Sequence, residues 1–206
     1  MQNRLITFGC SNTYGQFLPE TKPNHEPSKY AWPNLLAQKL NRVCLNEAVL
    51  GAGNLHILHK ILRYEYKPND LVIIGYSFFD RYFMHEYTDN DGNFNELKKF
   101  DNNYEVFVKG ELVCPHLDAR YYWLNWYTMH HAECYLNNLS IPNYSFFNAV
   151  TYEKIPLPAN ITFNNFWDDF IPKYVDRAAD DMHPGPETHR LLSEQIYNKL
   201  SELVVK

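Results

Sequence analysis

The alternation of short apolar runs with amphipathic segments is the feature that most constrains the fold of this chain. Residues 5–8 (LITF) and 71–74 (LVII) are mostly apolar, and each run ends at a glycine. Such runs predict strands that are buried on both faces. Residues 30–40 and 54–62 carry leucines at helical spacing, and residues 43–45 add a short strand between them. Strands that alternate with helices predict an α/β fold, a three-layer α/β/α sandwich with a mostly parallel central sheet.

The second half of the chain resumes this pattern after an interruption. Residues 84–118 are polar, aromatic and rich in asparagine, which predicts an irregular insertion with a small hairpin over residues 105–113. We then expect a helix over residues 119–139 and a strand over residues 144–147. A last helix is expected near the C-terminus, carrying Leu192, Ile196, Leu200 and Leu203.

Length and charge limit the classes of protein to which the chain can belong. A chain of 206 residues can bury one sizeable core, so we expect residues 1–206 to form a single domain. The net charge is −5 and the basic residues are scattered, which argues against a nucleic-acid partner. No apolar run approaches the roughly 20 residues of a membrane span and residues 1–10 hold no cleavable leader, so we expect a cytoplasmic protein without a membrane partner.

Cysteine and histidine spacing gives no sign of a metal or a cofactor. The four cysteines are too far apart for a paired motif, and we expect reduced thiols at Cys10, Cys44, Cys114 and Cys134. No carboxylate or cysteine at ligand spacing completes a metal set with the paired histidines His56 and His59 or His130 and His131. We therefore expect neither a metal site nor a cofactor.

Three loops that follow predicted strands hold residues suited to a site. They contain Ser11, Gly51 and Ser77, and in an open α/β sheet such loops converge beyond the carboxyl ends of the strands. Ser11 is expected at a helix start, either as a simple N-cap or where backbone N–H groups favour a developing negative charge. The helix after Gly51 is predicted to have Asn54 as its N-cap and a buried face of Leu55, Leu58 and Leu62.

A carboxylate and a histidine precede the last predicted helix. Asp180 lies three residues before His183, and in a loop it can fold back to accept a hydrogen bond from the imidazole Nδ1–H. The other ring nitrogen would then face a nucleophile, as a general base must. Taken alone, a histidine before a helix is more often a polar surface residue.

Taken together, these segments resemble the SGNH (GDSL-like) hydrolase family, in order and over nearly the whole chain. Residues 8–11 (FGCS) resemble the first conserved block with its nucleophilic serine, and residues 46–51 (NEAVLG) resemble the second block. Residues 73–77 (IIGYS) occupy the place of the third block, and residues 180–184 (DDMHP) resemble the last block with its acid and base. Residues 75–80 are also similar to SGNH-like proteins of bacteriophages, which suggests a viral source and a host cytoplasm.

The resemblance implies a flavodoxin-like three-layer fold and a set of residue roles. Ser11 would be the nucleophile, His183 the base and Asp180 its partner, with the N–H groups of Ser11 and Gly51 in the oxyanion hole. The chain departs from the pattern at Cys10, where the family has aspartate, and at Ser77, where it has an asparagine that donates to the oxyanion. Ser77 itself or Asn54 would have to supply that third donor.

The residues near the third block and the aromatic content bear on the substrate. Arg81, next to Asp80, could hold a substrate carboxylate or a sugar hydroxyl, or could form an ion pair with a surface neighbour. Aromatic residues make up 16% of the chain and five of them cluster at Tyr121, Tyr122, Trp123, Trp126 and Tyr127. Most of this cluster should pack in the core, and one or two rings could line a groove for a sugar.

These observations predict a serine esterase of acetylesterase type that acts on small acyl esters. The expected substrate is an O-acetyl group on a carbohydrate, and the reaction proceeds through an acyl-enzyme. Two alternatives remain open: a catalytically weak SGNH-like binding or structural module, such as a virion component, and an acyltransferase. The partners left open beside the substrate are further copies of the same chain or a virion.

Overall fold

A computed structural model describes residues 2–19, 26–77, 83–84, 98–99, 119–148, 160–167, 170 and 172–204. In chain order the elements are β1 (Arg4–Gly9), α1 (Ser11–Tyr14), α2 (Trp32–Lys39), β2 (Val43–Asn46), α3 (Asn54–Arg63), β3 (Leu71–Tyr76), β4 (Phe83–Met84), β5 (Lys98–Lys99), α4 (Ala119–Asn138), β6 (Asn143–Phe147) and α5 (Pro186–Val204).

The central sheet has four parallel strands in the order β2-β1-β3-β6. In the register, Leu5 of β1 lies beside Cys44 on one side and Leu71 on the other, and Gly9 pairs with Gly75. The chain moves outward from β1 to β2 and then crosses back to β3 on the other side. In this flavodoxin-like order, the crevice for a ligand lies where β1 and β3 diverge, at their carboxyl ends.

Helices cover both faces of the sheet, which confirms the three-layer prediction. Alternate side chains of β1 and β3 point to opposite faces, as the period of two in a strand requires. The core on one face comprises Ile6 and Phe8 with α3 and α4, and the core on the other comprises Leu5 and Ile73 with α2 and α5. Most side chains of both central strands are therefore apolar, and Thr7 of β1 is a buried polar exception.

The predicted buried face of α3 is wrong in part. Leu55 and Leu62 are 43% and 37% exposed, whereas Ile57, Leu58 and Ile61 are buried. The isoleucines and the leucines both follow helical spacing, so periodicity alone could not choose between the two faces. The N-cap is Gly53 and not Asn54, which is the first helical residue and uses its side chain elsewhere.

The predicted insertion lies mostly outside the described residues. Two short pieces of it are described, and Phe83–Met84 pairs antiparallel with Lys98–Lys99. The hairpin expected over residues 105–113 lies outside. Of the predicted thiols, Cys10, Cys44 and Cys134 are free, and Cys114 lies outside as well. None of the helices in the described part of the chain is long and apolar enough to cross a membrane.

Candidate active site

Ser11 lies at the carboxyl end of β1, on a tight turn into α1. Cys10 is the N-cap in an extended conformation, and its carbonyl accepts hydrogen bonds from the N–H groups of Thr13 and Tyr14. Gly9 makes this turn possible, because a Cβ there would lie only 2.1 Å from Thr13 Oγ1 and 2.9 Å from Gly75 O. Ser11 is thus the first helical residue rather than the N-cap, and it is only 2% exposed.

Asp180 and His183 form a compact turn before α5. One carboxylate oxygen, Asp180 Oδ1, accepts hydrogen bonds from the N–H groups of Met182 and His183, at 3.2 and 3.1 Å. Asp181 between them has a left-handed backbone, with φ of 58°. The turn leaves Asp180 Oδ2 at 2.5 Å from His183 Nδ1.

The structure brings Ser11, Asp180 and His183 together. His183 Nε2 lies 3.0 Å from Ser11 Oγ, although the two residues are 172 positions apart in the sequence. The side chains of His183 and Asp180 are 16% and 12% exposed, so water has limited access to the pair. A serine hydroxyl, an imidazole and a carboxylate in hydrogen-bond sequence can activate the hydroxyl as a nucleophile.

The ionisation of Asp180 determines which nitrogen of His183 carries the proton. Burial alone would raise the pKa of the Asp180 carboxyl, but the hydrogen bonds from the His183 side chain, His183 N–H and Met182 N–H outweigh it and hold that pKa below its ordinary value. An ionised carboxylate only accepts hydrogen bonds, so His183 Nδ1 must be the donor. In the neutral imidazole Nε2 is then unprotonated and accepts the hydrogen bond from Ser11 Oγ–H.

The loop that follows β2 packs over the end of β1. Val49 N–H donates to Gly9 O at 3.0 Å, and the Asn46 side chain donates to Thr13 O at 2.9 Å. Gly51 has φ of 69°, a conformation that favours glycine. Among the described residues, neither Ser11 N–H nor Gly51 N–H donates to a protein acceptor. The two N–H groups expected in an oxyanion hole are thus available for a ligand.

Ser77 and Asn54 form a buried pair beside this end of the sheet. Asn54 Oδ1 accepts from Ser77 N–H at 2.8 Å, while Asn54 Nδ2 donates to Asn125 Oδ1 at 2.9 Å and to Ser77 O at 3.3 Å. Both the oxygen and the nitrogen of the Asn54 side-chain amide are therefore hydrogen-bonded within the protein. By contrast, Ser77 Oγ is fully buried and has no hydrogen-bond partner among the described residues.

Three polar residues near Ser11 were not singled out from the sequence. The amide of Asn12 donates to Asn148 O and to Tyr174 Oη, at 2.8 and 3.2 Å, and Tyr174 Oη–H donates to Asn148 O at 3.0 Å. Asn148 directly follows β6 and Asn12 directly follows Ser11. Their position beside strand ends is the sequence signal that could have identified these polar residues as part of the site. Phe17 was also missed; its ring lies 5.4 Å from the His183 ring, centroid to centroid.

The residues that the sequence suggested for substrate or metal binding are not all described by the structure. Asp80 and Arg81 lie outside the described residues, as do the side chains of Tyr121 and Tyr122. In the rest of the aromatic cluster, Trp126 is buried, while Trp123 and Tyr127 are exposed and stack on each other at 6.3 Å between ring centroids. In the described part of the chain, no three histidine, cysteine or carboxylate side chains are grouped as metal ligands.

Comparison with solved structures gives clear matches, whereas comparison with sequences does not. No protein-family model matches the chain, and no curated protein matches it significantly. A carbohydrate esterase family 2 enzyme with a carbohydrate binding domain, from Corynascus thermopiles (Myceliophthora fergusii), matches 100% of this chain and 68% of its own, with a TM-score of 0.56 and 14% identity. A second carbohydrate esterase, described as having divergent catalytic and non-catalytic binding functions in its active site, matches 98% of this chain and 66% of its own, with a TM-score of 0.50 and 13% identity.

The chain thus spans about two thirds of the length of the two structures it matches. At such low identity the likeness concerns the path of the backbone through sheet and helices. It covers almost the whole of this chain, including both ends, from which Ser11 and His183 come.

Proposed function

We propose that this chain, which has the fold of the SGNH (GDSL-like) hydrolases, is a serine esterase in which Ser11, His183 and Asp180 form the catalytic triad. The observation that carries the proposal is the pair of contacts at His183, 3.0 Å from Nε2 to Ser11 Oγ and 2.5 Å from Nδ1 to Asp180 Oδ2. Both lengths suit a proton that moves from the hydroxyl to the imidazole while the carboxylate holds the ring.

The reaction begins when Ser11 Oγ attacks the carbonyl carbon of an ester. His183 Nε2 takes the hydroxyl proton, and Asp180 offsets the positive charge that forms on the ring. The tetrahedral intermediate collapses, His183 gives the proton to the leaving alcohol, and the acyl group stays on Ser11. Water then attacks the acyl-enzyme with the same proton transfers and releases the carboxylic acid.

The negative charge on the substrate oxygen needs donors that are not engaged elsewhere. We assign this role to the N–H groups of Ser11 and Gly51 and to the hydroxyl of Ser77, which has no partner among the described residues. Asn54 would have to give up its bonds to Asn125 and Ser77 to reach the same oxygen. We therefore assign Asn54 to holding the backbone of Ser77 in place.

The preferred substrate is a small acyl ester, with an O-acetyl group on a carbohydrate as the first candidate. Ser11 is only 2% exposed, and a nucleophile in so closed a site favours a small acyl group. The carbohydrate part is supported by the two solved structures with a similar fold, which are both described as carbohydrate esterases.

The proposal is tested by comparing the wild type with Ser11→Ala on p-nitrophenyl acetate and on an acetylated sugar. We expect Ser11→Ala and His183→Ala to lower kcat by a factor on the order of 10⁴ or more. Ser193→Ala is a matched control, since Ser193 is also a buried serine but its hydroxyl donates to Arg190 O within α5. It should retain wild-type kcat.

The two substrates separate the reaction class from the substrate class. Equal rates for the wild type and Ser11→Ala would exclude the esterase and favour a binding or structural module. Ser11-dependent hydrolysis of p-nitrophenyl acetate without action on any acetylated sugar would retain the esterase and reject the carbohydrate. Transfer of the acetyl group to an added sugar alcohol, faster than to water, would indicate an acyltransferase.

A further inference from the structure

We propose that Asn12 and Tyr174 are positioning residues, which lock the turn that carries Ser11 to the segment that carries His183. The inference rests on the proposed function, because it concerns the distance between the nucleophile and its base. Ser11 and His183 come from opposite ends of the chain, so no local structure fixes the 3.0 Å between them. A long-range contact has to do so.

The contact is a three-way junction at the carbonyl of Asn148, at the carboxyl end of β6. This oxygen accepts from Asn12 Nδ2 at 2.8 Å and from Tyr174 Oη–H at 3.0 Å, and Asn12 Nδ2 also donates to Tyr174 Oη at 3.2 Å. The Asn148 amide in turn donates to Thr13 Oγ1 at 2.8 Å. Three segments meet here: α1, the end of β6, and the residues that lead to His183.

The polar protons of the Asn12 and Tyr174 side chains each have an acceptor in the junction, so these two side chains are not interchangeable. The two amide hydrogens of Asn12 are directed at Asn148 O and Tyr174 Oη, and the single hydroxyl hydrogen of Tyr174 is directed at Asn148 O. Asn12 and Asn148 are 8% and 0% exposed, so water cannot readily replace a lost partner. Burial also raises the pKa of Tyr174, which keeps its hydroxyl protonated as the donor that the junction requires.

Few other contacts connect these two segments. Besides the Ser11 to His183 contact and the packing of the Phe17 ring on the His183 ring, two described hydrogen bonds join residues 11–17 to residues 172–185. They are the Asn12 to Tyr174 bond and a longer bond from Ala179 N–H to Phe17 O, at 3.5 Å. A misplacement of about 1 Å between reacting groups can lower a rate about 100-fold. Loss of the junction should therefore slow the chemistry more than it weakens substrate binding.

The test compares Tyr174→Phe with Tyr66→Phe in the full chain, with kcat and KM measured on p-nitrophenyl acetate and Tm measured for each variant. Tyr66 is a matched control because its partly buried hydroxyl also donates to a backbone carbonyl, Ile61 O at 2.9 Å, in the segment that leads into β3. We expect Tyr174→Phe to lower kcat about 10- to 100-fold with KM within twofold. Tyr66→Phe should leave both within twofold, whatever its effect on Tm.

Asn12→Leu provides a second, independent variant. Together with Tyr174→Phe and the double variant it forms a double-mutant cycle, which measures whether the two side chains act independently. Since the two side chains act through one junction, we expect the double variant to be no slower than the slower single variant. The inference is overturned if Tyr174→Phe retains kcat, if its loss appears in KM, or if the losses in the double variant multiply. If turnover by the wild type does not depend on Ser11, the proposed function itself fails. If turnover depends on Ser11 but Tyr174→Phe keeps wild-type kcat, only the positioning role of Tyr174 fails.

Discussion

Ser77 is the residue at which chemistry and stability are expected to oppose each other. Its hydroxyl is fully buried without a partner among the described residues, and a buried polar group in that state costs about 1–3 kcal/mol of stability. Under the proposed mechanism this cost has a use, because the free hydroxyl can donate to the negative charge that forms during the reaction.

The variant Ser77→Ala tests this opposition. Because no hydrogen bond is lost, we expect an unchanged or higher Tm, while the loss of one oxyanion donor lowers kcat by roughly 100- to 1,000-fold. Thermal unfolding and steady-state kinetics on the same preparation measure both. A wild-type kcat in Ser77→Ala would show that Ser77 is not a donor in the oxyanion hole.

His189 is a second residue whose burial has a measurable consequence. It is 1% exposed, and Trp32 N–H donates to its Nδ1 at 3.1 Å. Burial lowers the pKa of His189 to about 3, so the folded chain keeps this imidazole neutral at pH values where the unfolded chain protonates it.

The free energy of unfolding should therefore fall as the pH decreases below about 6.5, by up to ~1.4 kcal/mol per pH unit from this group. His189→Asn keeps an acceptor for Trp32 N–H and removes the titration, so the slope between pH 6.5 and 5 should become shallower. Urea denaturation at several pH values measures it, with the exposed His131→Asn as the control. An identical slope in His189→Asn would contradict the prediction.

At the scale of elements, the N-terminus of α5 anchors the loop that carries Asp180 and His183. The Asp176 carboxylate accepts from Glu187 N–H at 2.9 Å and from Thr188 N–H at 2.7 Å, which satisfies N–H groups that have no partner within the helix. Gly185 allows this approach, since a Cβ there would lie 2.5 Å from the Asp176 carboxylate. The ten residues between Asp176 and Glu187, which include the candidate base His183, thus form a loop that these hydrogen bonds close.

We expect Asp176→Ala to lower the free energy of unfolding by roughly 1–2 kcal/mol, through the lost helix cap. It should also lower kcat, because the loop that holds His183 loses its anchor. Asp176→Asn, which keeps an acceptor oxygen, should restore most of both. Chemical denaturation and kinetics on the two variants check this, and an alanine variant with unchanged stability would show that the cap contributes little.

At the scale of the whole molecule, the two ends of the sheet have different roles. The candidate site lies at the carboxyl ends of the strands. Near the amino ends, Asp70 accepts from Arg4 Nε and Nη2 at 2.7 and 2.5 Å, and its side chain is only 1% exposed. Burial would raise the pKa of Asp70, but the Arg4 hydrogen bond and charge lower it overall, so this contribution to stability is present above about pH 4 and is lost as the pH falls further.

Asp70→Ala should therefore separate stability from activity. Removal of one partner from a fully buried ion pair costs about 3–5 kcal/mol, and the Arg4 side chain is 15% exposed, so the loss should be smaller while Tm still falls clearly. At a temperature where the variant is still folded, kcat should equal that of the wild type, because Asp70 is at the opposite end of the sheet from Ser11. A loss of kcat without a loss of Tm would contradict this division.

Local sequence patterns were sufficient to predict the main elements of the fold. The apolar runs of β1 and β3 and the leucine spacing of α2 gave the layers correctly, because strand and helix periodicities depend on neighbours a few positions away. Ser11, Asp180 and His183 were singled out because their segments resemble, in order, the blocks of the SGNH family, whereas each short motif alone has a simpler structural explanation.

Contacts between distant segments were decided only by the tertiary structure. Both faces of α3 satisfy helical spacing, and only packing against the sheet determined that Ile57 and Ile61 are buried. The engagement of Asn54 with Ser77 and the junction of Asn12, Tyr174 and Asn148 join residues 23 to 162 positions apart. No periodicity links such positions, since their distance depends on how the whole sheet and its loops fold. The sequence by itself thus determined which groups are available, and the tertiary structure determined which of them meet.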